Sequence, residues 1–376
     1  MLTEDQTLIR DTARAFAKDR LAPGAANRDR TGIIEPELLQ EMGELGFLGM
    51  TVDPDYDGAG ADYVSYALAI MEVAAGDGAI STVMSVHNAP FNAILERFGS
   101  EHHKTEVLRP AARGEFIGGF GLTEDQAGSD ASAVRSSARK VQGGYVVNGT
   151  KAFITSGKIG RYVIVFARLD GSKGKSGITA FLVPTATQGF EVSRVEEKMG
   201  QRASDTCSLR FTDMEIPDDA RIGDEGQGYK IALASLETGR IGIAAQSVGM
   251  AQAALDAAIA YAGDRKTFGA PIMNHQAVAF RLAELATDLE AARQLVLNAA
   301  RLKDAGIPCL TEAAMAKLFA SEAAERIVSG ALQTFGGMGY MVETGLERIA
   351  RDVRVCQIYE GTSDIQKLII ARALST

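Results

Sequence analysis

Three short segments carry side chains able to do chemistry. Tyr359-Glu360-Gly361-Thr362-Ser363-Asp364 sets a carboxylate, the residue type that can take up a proton, between an apolar run and a helix start that Thr362 or Ser363 can cap. Gly121-Leu122-Thr123-Glu124-Asp125-Gln126-Ala127-Gly128-Ser129-Asp130 gathers small and hydroxyl residues in one loop, whose N–H and O–H groups can meet a phosphate or the edge of a heterocycle. Gln333-Thr334-Phe335-Gly336-Gly337-Met338-Gly339-Tyr340 has glycine spacing like a dinucleotide fingerprint, but it follows a helical pattern instead of a strand. It reads as a helix C-terminus in which glycine supplies left-handed backbone. Taken singly, each segment has a plainer reading: a polar surface turn for the loop, a solvated carboxylate for the glutamate. None of His87, His102, His103 and His275 falls in a metal or nucleophile–base pattern, and His102-His103 reads as a surface turn.

These segments need elements to position them. Residues 1–116 show apolar residues at helical spacing, as in Leu8, Ala13, Phe16, Ala17 and again Tyr66, Leu68, Ala69, Met71, Val73. Thr3 with Gln6 reads as a capping box opening the first helix. From residue 117 to 224 the texture is that of an antiparallel β domain. Residues 145–155 read as two strands around an Asn148-Gly149 hairpin turn, and 162–167, 178–183, 190–195 and 207–211 as further strands. From 225 to 376 the pattern is helical again, over 229–263, 276–304 and 311–333, as expected of a bundle. The expected class is α+β multidomain, and long helices apolar over much of their circumference point to subunit association as well.

Composition bounds the function. The chain has 376 residues, of which 46% are hydrophobic, and a net charge of -9, which favours solubility and argues against a nucleic-acid or anionic-membrane surface. No uncharged apolar run reaches the roughly 18 residues that span a bilayer, and the N-terminus does not read as a signal peptide. Cys207, Cys309 and Cys356 form no CxxC pair, so neither a disulfide framework nor a zinc site is indicated, and a reducing intracellular compartment fits.

Together, in order and spacing, the three segments resemble the acyl-CoA dehydrogenase family over about Leu2 to Leu374. Both family signatures are present, the one from Leu122-Thr123-Glu124 through Asp130 and the one from Gln333 through Gly336-Gly337 to Arg351-Asp352. The stretch from Val353 to Ser363 looks most like the short-chain (butyryl) branch. The resemblance implies the family fold: a helical N-terminal domain, a middle β domain and a C-terminal four-helix-bundle domain. It implies FAD held by Phe120, Leu122, Thr123, Ser129, Phe153 and Thr155, with Arg265, Phe268, Gln276, Gln333, Gly336, Gly337, Thr362 and Asp364 completing sites shared between subunits. Where the family usually has Trp, this chain has Phe153, which keeps stacking with less area and no indole N–H.

The implied reaction is α,β-dehydrogenation of a short, possibly branched, acyl-CoA to the trans-2-enoyl-CoA. Glu360 takes the α-proton, flavin N5 takes the β-hydride, and electrons pass to an electron-transferring flavoprotein. Ser129, Glu237, Arg240 and Gly361 are the expected acyl-CoA contacts. In the isovaleryl branch the base lies just before the arginine matching Arg240; here Gly239 stands there, which favours Glu360 over Glu237. The resemblance further implies a homotetramer built as a dimer of dimers, a role in fatty acid or branched-chain amino acid catabolism, no metal, and a bacterial cytoplasmic or mitochondrial matrix location. The alternatives are an oxygen-using acyl-CoA oxidase and a catalytically silent FAD-binding relative.

Overall fold

The computed structural model describes residues 2–375. Helix α1 (Glu4–Phe16) opens with the expected capping box, in which Thr3 and Gln6 exchange side-chain and backbone hydrogen bonds. It is followed by α2 (Ala25–Thr31), α3 (Pro36–Glu44), α4 (Tyr63–Gly76), α5 (Gly78–Val86), α6 (Ala93–Phe98), α7 (Glu101–His103) and α8 (Arg109–Ala112). Helices α4 and α5 are apolar around most of their circumference and are correspondingly buried on nearly every side. Between them Asp77 caps α5 through the N–H of Ala79 and takes a buried 2.7 Å bond from Arg28.

The structure corrects the reading of His102-His103 as a surface turn. His102 is exposed, but His103 is buried; its Nε2 lies 2.6 Å from the Asp219 carbonyl, tying this helical turn to the β domain.

The middle region is one eight-stranded sheet: β1 (Gly118–Gly121), β2 (Ser137–Val141), β3 (Gly144–Thr155), β4 (Tyr162–Leu169), β5 (Ile178–Pro184), β6 (Phe190–Val195), β7 (Thr206–Pro217) and β8 (Arg221–Ile222). Its order is β6-β7-β3-β2-β4-β5-β8, with β1 added beside β4. Two pairings, β1 with β4 and β2 with β4, are parallel, so the sheet is mixed where an antiparallel one was expected. The hairpin expected at Asn148-Gly149 is also absent. Strand β3 runs straight through both residues along β7, with a register shift between Val147 and Gly149. Gly149 sits at φ 145°, and a β-carbon there would stand 2.4 Å from Ser136 Oγ, so glycine serves a bulge instead of a turn. The true turn is Gln142-Gly143, between β2 and β3.

Helices α9 (Gly228–Asp264), α10 (Gln276–Asp304) and α11 (Leu310–Phe335) pack on one another, the two-residue strands β9 (Lys266–Thr267) and β10 (Ala270–Pro271) intervene, and α12 (Leu346–Val353) and the shorter fourth bundle member α13 (Ser363–Ala373) lie against α11. Among the described residues α9 alone is long and apolar enough to cross a membrane by length and composition, but 67% of its 18-residue apolar window is buried inside the protein, and it acts as the central core helix. One hydrophobic cluster runs from α1 and α4 through α9 to α10 and α11, and two others lie on the faces of the sheet. The three regions are joined at α12. Arg351 bonds Asp29 at 2.7 Å, and the buried Asp352 carboxylate accepts the Gln201 N–H from the loop after β6.

Candidate active site

The chain after α12 turns sharply through Tyr359-Glu360-Gly361 into α13. Glu360 takes φ +52° and Gly361 φ +94°, consecutive left-handed conformations that a glutamate adopts only when its surroundings enforce them. Three groups do so. Lys317 Nζ, on α11, donates to the Gly361 carbonyl at 2.7 Å, and Gln366 Nε2 donates to the same oxygen at 2.8 Å. The Tyr359 hydroxyl donates to Gln246 Oε1 on α9. Thr362 then caps α13, accepting from the Ile365 N–H.

This turn delivers the Glu360 side chain against α9. Its Oε2 is sealed from solvent and has no hydrogen-bond partner, an unusual state for a carboxylate oxygen and a common one for an acid awaiting a substrate. Burial pushes the carboxyl up to about 7, while Lys317 and Arg240 pull it back. A carboxylate poised there can take a proton near neutral pH. Gly239 makes the approach possible, since a β-carbon on it would lie 2.0 Å from Oε2. Arg240 is itself buried, with Nε unpartnered, and burial holds its pKa below the usual arginine value despite the pull of Glu360 and Glu237. One further turn along α9, Gly242 packs directly against the Ser85 and Tyr66 hydroxyls, where a β-carbon would lie 2.6 Å from Ser85 Oγ; both hydroxyls are buried with no hydrogen-bond partner.

Glu237, the rival acid, is engaged elsewhere: Lys303 Nζ donates to its Oε1 at 2.9 Å, and the Cys309 thiol points to the same oxygen. Of the expected acyl-CoA contacts, Arg240 and Gly361 lie at Glu360, while Ser129 stands exposed on the loop after β1.

A cavity of about 250 Å³ opens beside the same turn and is lined by Thr155, Thr206, Ser204, Lys198, Gln201 and Tyr359, among others. Thr155 ends β3, and Phe153, two residues earlier, sits at φ +59° with its ring 65% exposed. The Ser204 hydroxyl is buried without a partner. An orphaned donor, two threonine hydroxyls and an ammonium line the cavity, and an exposed flat ring lies two residues from Thr155 on β3; an isoalloxazine wants such donors at its pyrimidine edge and an aromatic neighbour. The residues present therefore fit FAD in donor chemistry. Thr123 lies nearby in the chain fold, its carbonyl accepting the Ala152 N–H, whereas the Leu122 side chain is buried in the core and Phe120 packs its ring on Phe166.

Of the expected FAD contacts, Thr155 alone lines this cavity. Arg265, Phe268, Gln276, Gln333, Gly336 and Gly337 are all exposed, at the ends of α9, α10 and α11. Tyr261 stacks on Phe335 at 4.1 Å and brings the ends of α9 and α11 together. Gly336 takes φ +59°, as expected for a glycine closing a helix. Asp364 is exposed in the first turn of α13.

Sequence reasoning passed over Lys317, Gln366 and Gln246. The signal was present for the first: Lys317 is a lone cation on an alanine-rich face with Ala313, Ala314, Ala316 and Ala320, all buried. Glu124 was missed too. It forms a fully buried 2.7 Å ion pair with Lys151 and accepts from the Ser136 hydroxyl and the Arg135 and Ser136 N–H groups, fixing the loop after β1 onto β3.

Family models for the N-terminal, middle and C-terminal domains of acyl-CoA dehydrogenases match residues 3–115, 119–214 and 226–375. The chain is 45% identical over 370 residues to the mitochondrial short-chain specific acyl-CoA dehydrogenase of Rattus norvegicus, covering 98% of this chain and 90% of that one. It is 41% identical over 370 residues to the short-chain specific acyl-CoA dehydrogenase of Clostridium acetobutylicum, with 98% of each covered. Among solved structures, butyryl-CoA dehydrogenase from Megasphaera elsdenii superposes with a TM-score of 0.98 at 40% identity, covering 100% of this chain and 99% of that one. A chain from a structure titled for the electron transferring flavoprotein of Acidaminococcus fermentans matches at a TM-score of 0.98 and 43% identity, over 100% of this chain and 98% of that one.

Proposed function

The chain belongs to the acyl-CoA dehydrogenase family of FAD oxidoreductases, and from that premise we propose that it oxidises a short acyl-CoA to the trans-2-enoyl-CoA with Glu360 as its base. The observation that carries this reading is the sealed, unpartnered Oε2 of Glu360, held against Gly239 by a left-handed turn.

In this reading the acyl chain lies beside Glu360 with its α C–H toward Oε2. Fixing the carboxylate there contributes up to roughly 7–11 kcal/mol through orientation alone. The protein accepts the proton on Glu360, whose raised pKa makes it a competent base near neutral pH and a neutral acid afterwards. The Glu360 N–H, in the same turn, faces the thioester oxygen as negative charge develops on it, and Arg240 keeps a positive charge beside the base. FAD, when bound through Thr155, Phe153 and the loop from Leu122 to Ser129, supplies the electron acceptor for the β-hydrogen. In this reading the acyl chain runs from Glu360 toward Gly242, where the Ser85 and Tyr66 hydroxyls pack close and would favour a short chain.

An electron-transferring flavoprotein is the proposed acceptor, in keeping with the similarity to a chain in the structure of the electron transferring flavoprotein of Acidaminococcus fermentans. The exposed apolar residues Phe268 (99%), Tyr340 (85%), Val342 (71%) and Phe280 (58%), close in sequence to the helix ends that carry Arg265 and Gln333, support self-association in which a partner copy covers this surface and completes the FAD site.

The test is anaerobic flavin absorbance during titration with butyryl-, isobutyryl-, octanoyl- and glutaryl-CoA, for the wild type and Glu360→Gln. Bleaching by butyryl-CoA, lost in the variant, is the expected result. Bleaching retained by Glu360→Gln would move the base elsewhere.

A further inference from the structure

The Glu360-Gly361 turn rests on a lysine that nothing so far assigns to the reaction. Lys317 is completely buried in α11 among alanines, where an ammonium is costly unless charge or hydrogen bonds compensate it. Its hydrogen bond goes to the Gly361 carbonyl at 2.7 Å, yet Gln366 already serves that oxygen at 2.8 Å with a neutral amide. The hydrogen bond is therefore duplicated. What a lysine adds, and a second amide would not, is positive charge directly behind the base.

We propose that Lys317 is the positioning residue for Glu360: it pins the left-handed turn through the Gly361 carbonyl and supplies the buried counter-charge against which the carboxylate ionises. This rests on the reading of Glu360 as the base.

The charged and titratable groups around the pair are few. From α9, Arg240 faces Glu360 and also repels Lys317. From α4, Tyr66 faces Glu360, and burial keeps its phenol neutral far above the working range. From the turn after α12, Cys356 faces Lys317, and burial raises that thiol as well. Burial lowers Lys317 to about 8, against the pull of Cys356 and Glu360, so it remains a cation where the base ionises. Arg240 and Lys317 are thus the two positive partners of Glu360, and only Lys317 also holds its backbone.

The experiment is the pH dependence of anaerobic flavin bleaching by butyryl-CoA, from about pH 5.5 to about 9, for holoenzyme carrying Lys317→Met, Lys317→Arg, Gln366→Met or Glu360→Gln. In Lys317→Met the acid limb should move up by about one pH unit, so that the rate falls roughly 10-fold more at the acid end than at the alkaline end. Lys317→Arg should leave the limb in place, and Gln366→Met should lower the rate by one factor at every pH. A limb that stays put in Lys317→Met, with the rate scaled uniformly, would reduce Lys317 to a structural lysine and overturn the proposal. Where Lys317→Met yields no flavin-loaded protein, Lys317→Gln carries the same comparison, and a limb displaced in Lys317→Arg overturns the proposal by itself. Bleaching that survives in Glu360→Gln would instead sink the assignment of the base, whatever the lysine variants do.

Discussion

A β-carbon on Gly239 would stand 2.0 Å from Oε2 of Glu360, closer than any real contact allows. Residue 239 and residue 360 therefore cannot both carry a side chain in this geometry. The absence of an acid at 239 is more than permissive: the glycine is the space into which the base from 360 fits.

It follows that Gly239→Ala should displace the carboxylate and lower kcat by about 100-fold, the scale of a misplaced reacting group. Bound flavin should be unaffected, because Gly239 does not line the Thr155 cavity. Stopped-flow bleaching beside the flavin-to-protein absorbance ratio checks both halves, and an active Gly239→Ala would refute the packing argument.

Glu360→Gln should be inactive yet more stable than wild type above about pH 7. The folded carboxyl is raised from the ordinary 4.5 to about 7 by burial. The stability it contributes is fully present below 4.5 and is lost as pH rises through 7, where the buried charge forms. The amide escapes that loss, worth on the order of 1–3 kcal/mol. Melting curves at acid and alkaline pH should diverge only at the alkaline end.

The Glu124–Lys151 pair should behave in the opposite sense. Burial alone would raise the Glu124 carboxyl, but the Lys151 charge and the donors Lys151, Ser136 and Arg135 outweigh it and hold it at about 2. A depressed carboxyl contributes stability that is fully present above its unfolded pKa of 4.5 and is lost progressively as pH falls from there through the folded value of about 2. Glu124→Gln or Lys151→Met alone should cost about 3–5 kcal/mol by leaving the partner charge buried. Combining them should recover part of that loss, as a denaturant double-mutant cycle would measure.

Phe153→Ala should leave the melting temperature of the flavin-free protein nearly unchanged, because the ring is 65% exposed and contributes little to the core. Flavin release should accelerate by about 10-fold, equivalent to the loss of one aromatic stacking contact. Phe153→Trp should slow it. Equal release rates in all three proteins would remove Phe153 from the flavin site.

The helices were legible because their signals are local. Thr3 and Gln6 announced the first cap, and the apolar faces of α4 and α9 to α11 announced a helical core. The errors came where distant strands decide. Asn148-Gly149 has the composition of a turn, but β7 offers a partner along the whole of residues 144–155, and that pairing converts the glycine into a bulge. The parallel placements of β1 and β2 beside β4 were likewise invisible, since local composition does not tell which neighbour a strand takes. His103 was misjudged for the same reason: only the fold brings the Asp219 carbonyl to its ring.

At the site the division is similar. Residue order alone carries the chemical inventory: a glutamate before Gly361, a glycine in place of the rival acid at 239, a capping threonine, and hydroxyls around the loop after β1. Those are properties of residue order, and a family resemblance can transmit them. It is the packing of distant segments that seals Oε2 of Glu360 without a partner, occupies Glu237 with Lys303, and brings Lys317 and Gln366 to one carbonyl. Burial and electrostatic neighbourhood depend on segments more than forty residues apart in the chain meeting at one point, and no local pattern encodes that meeting.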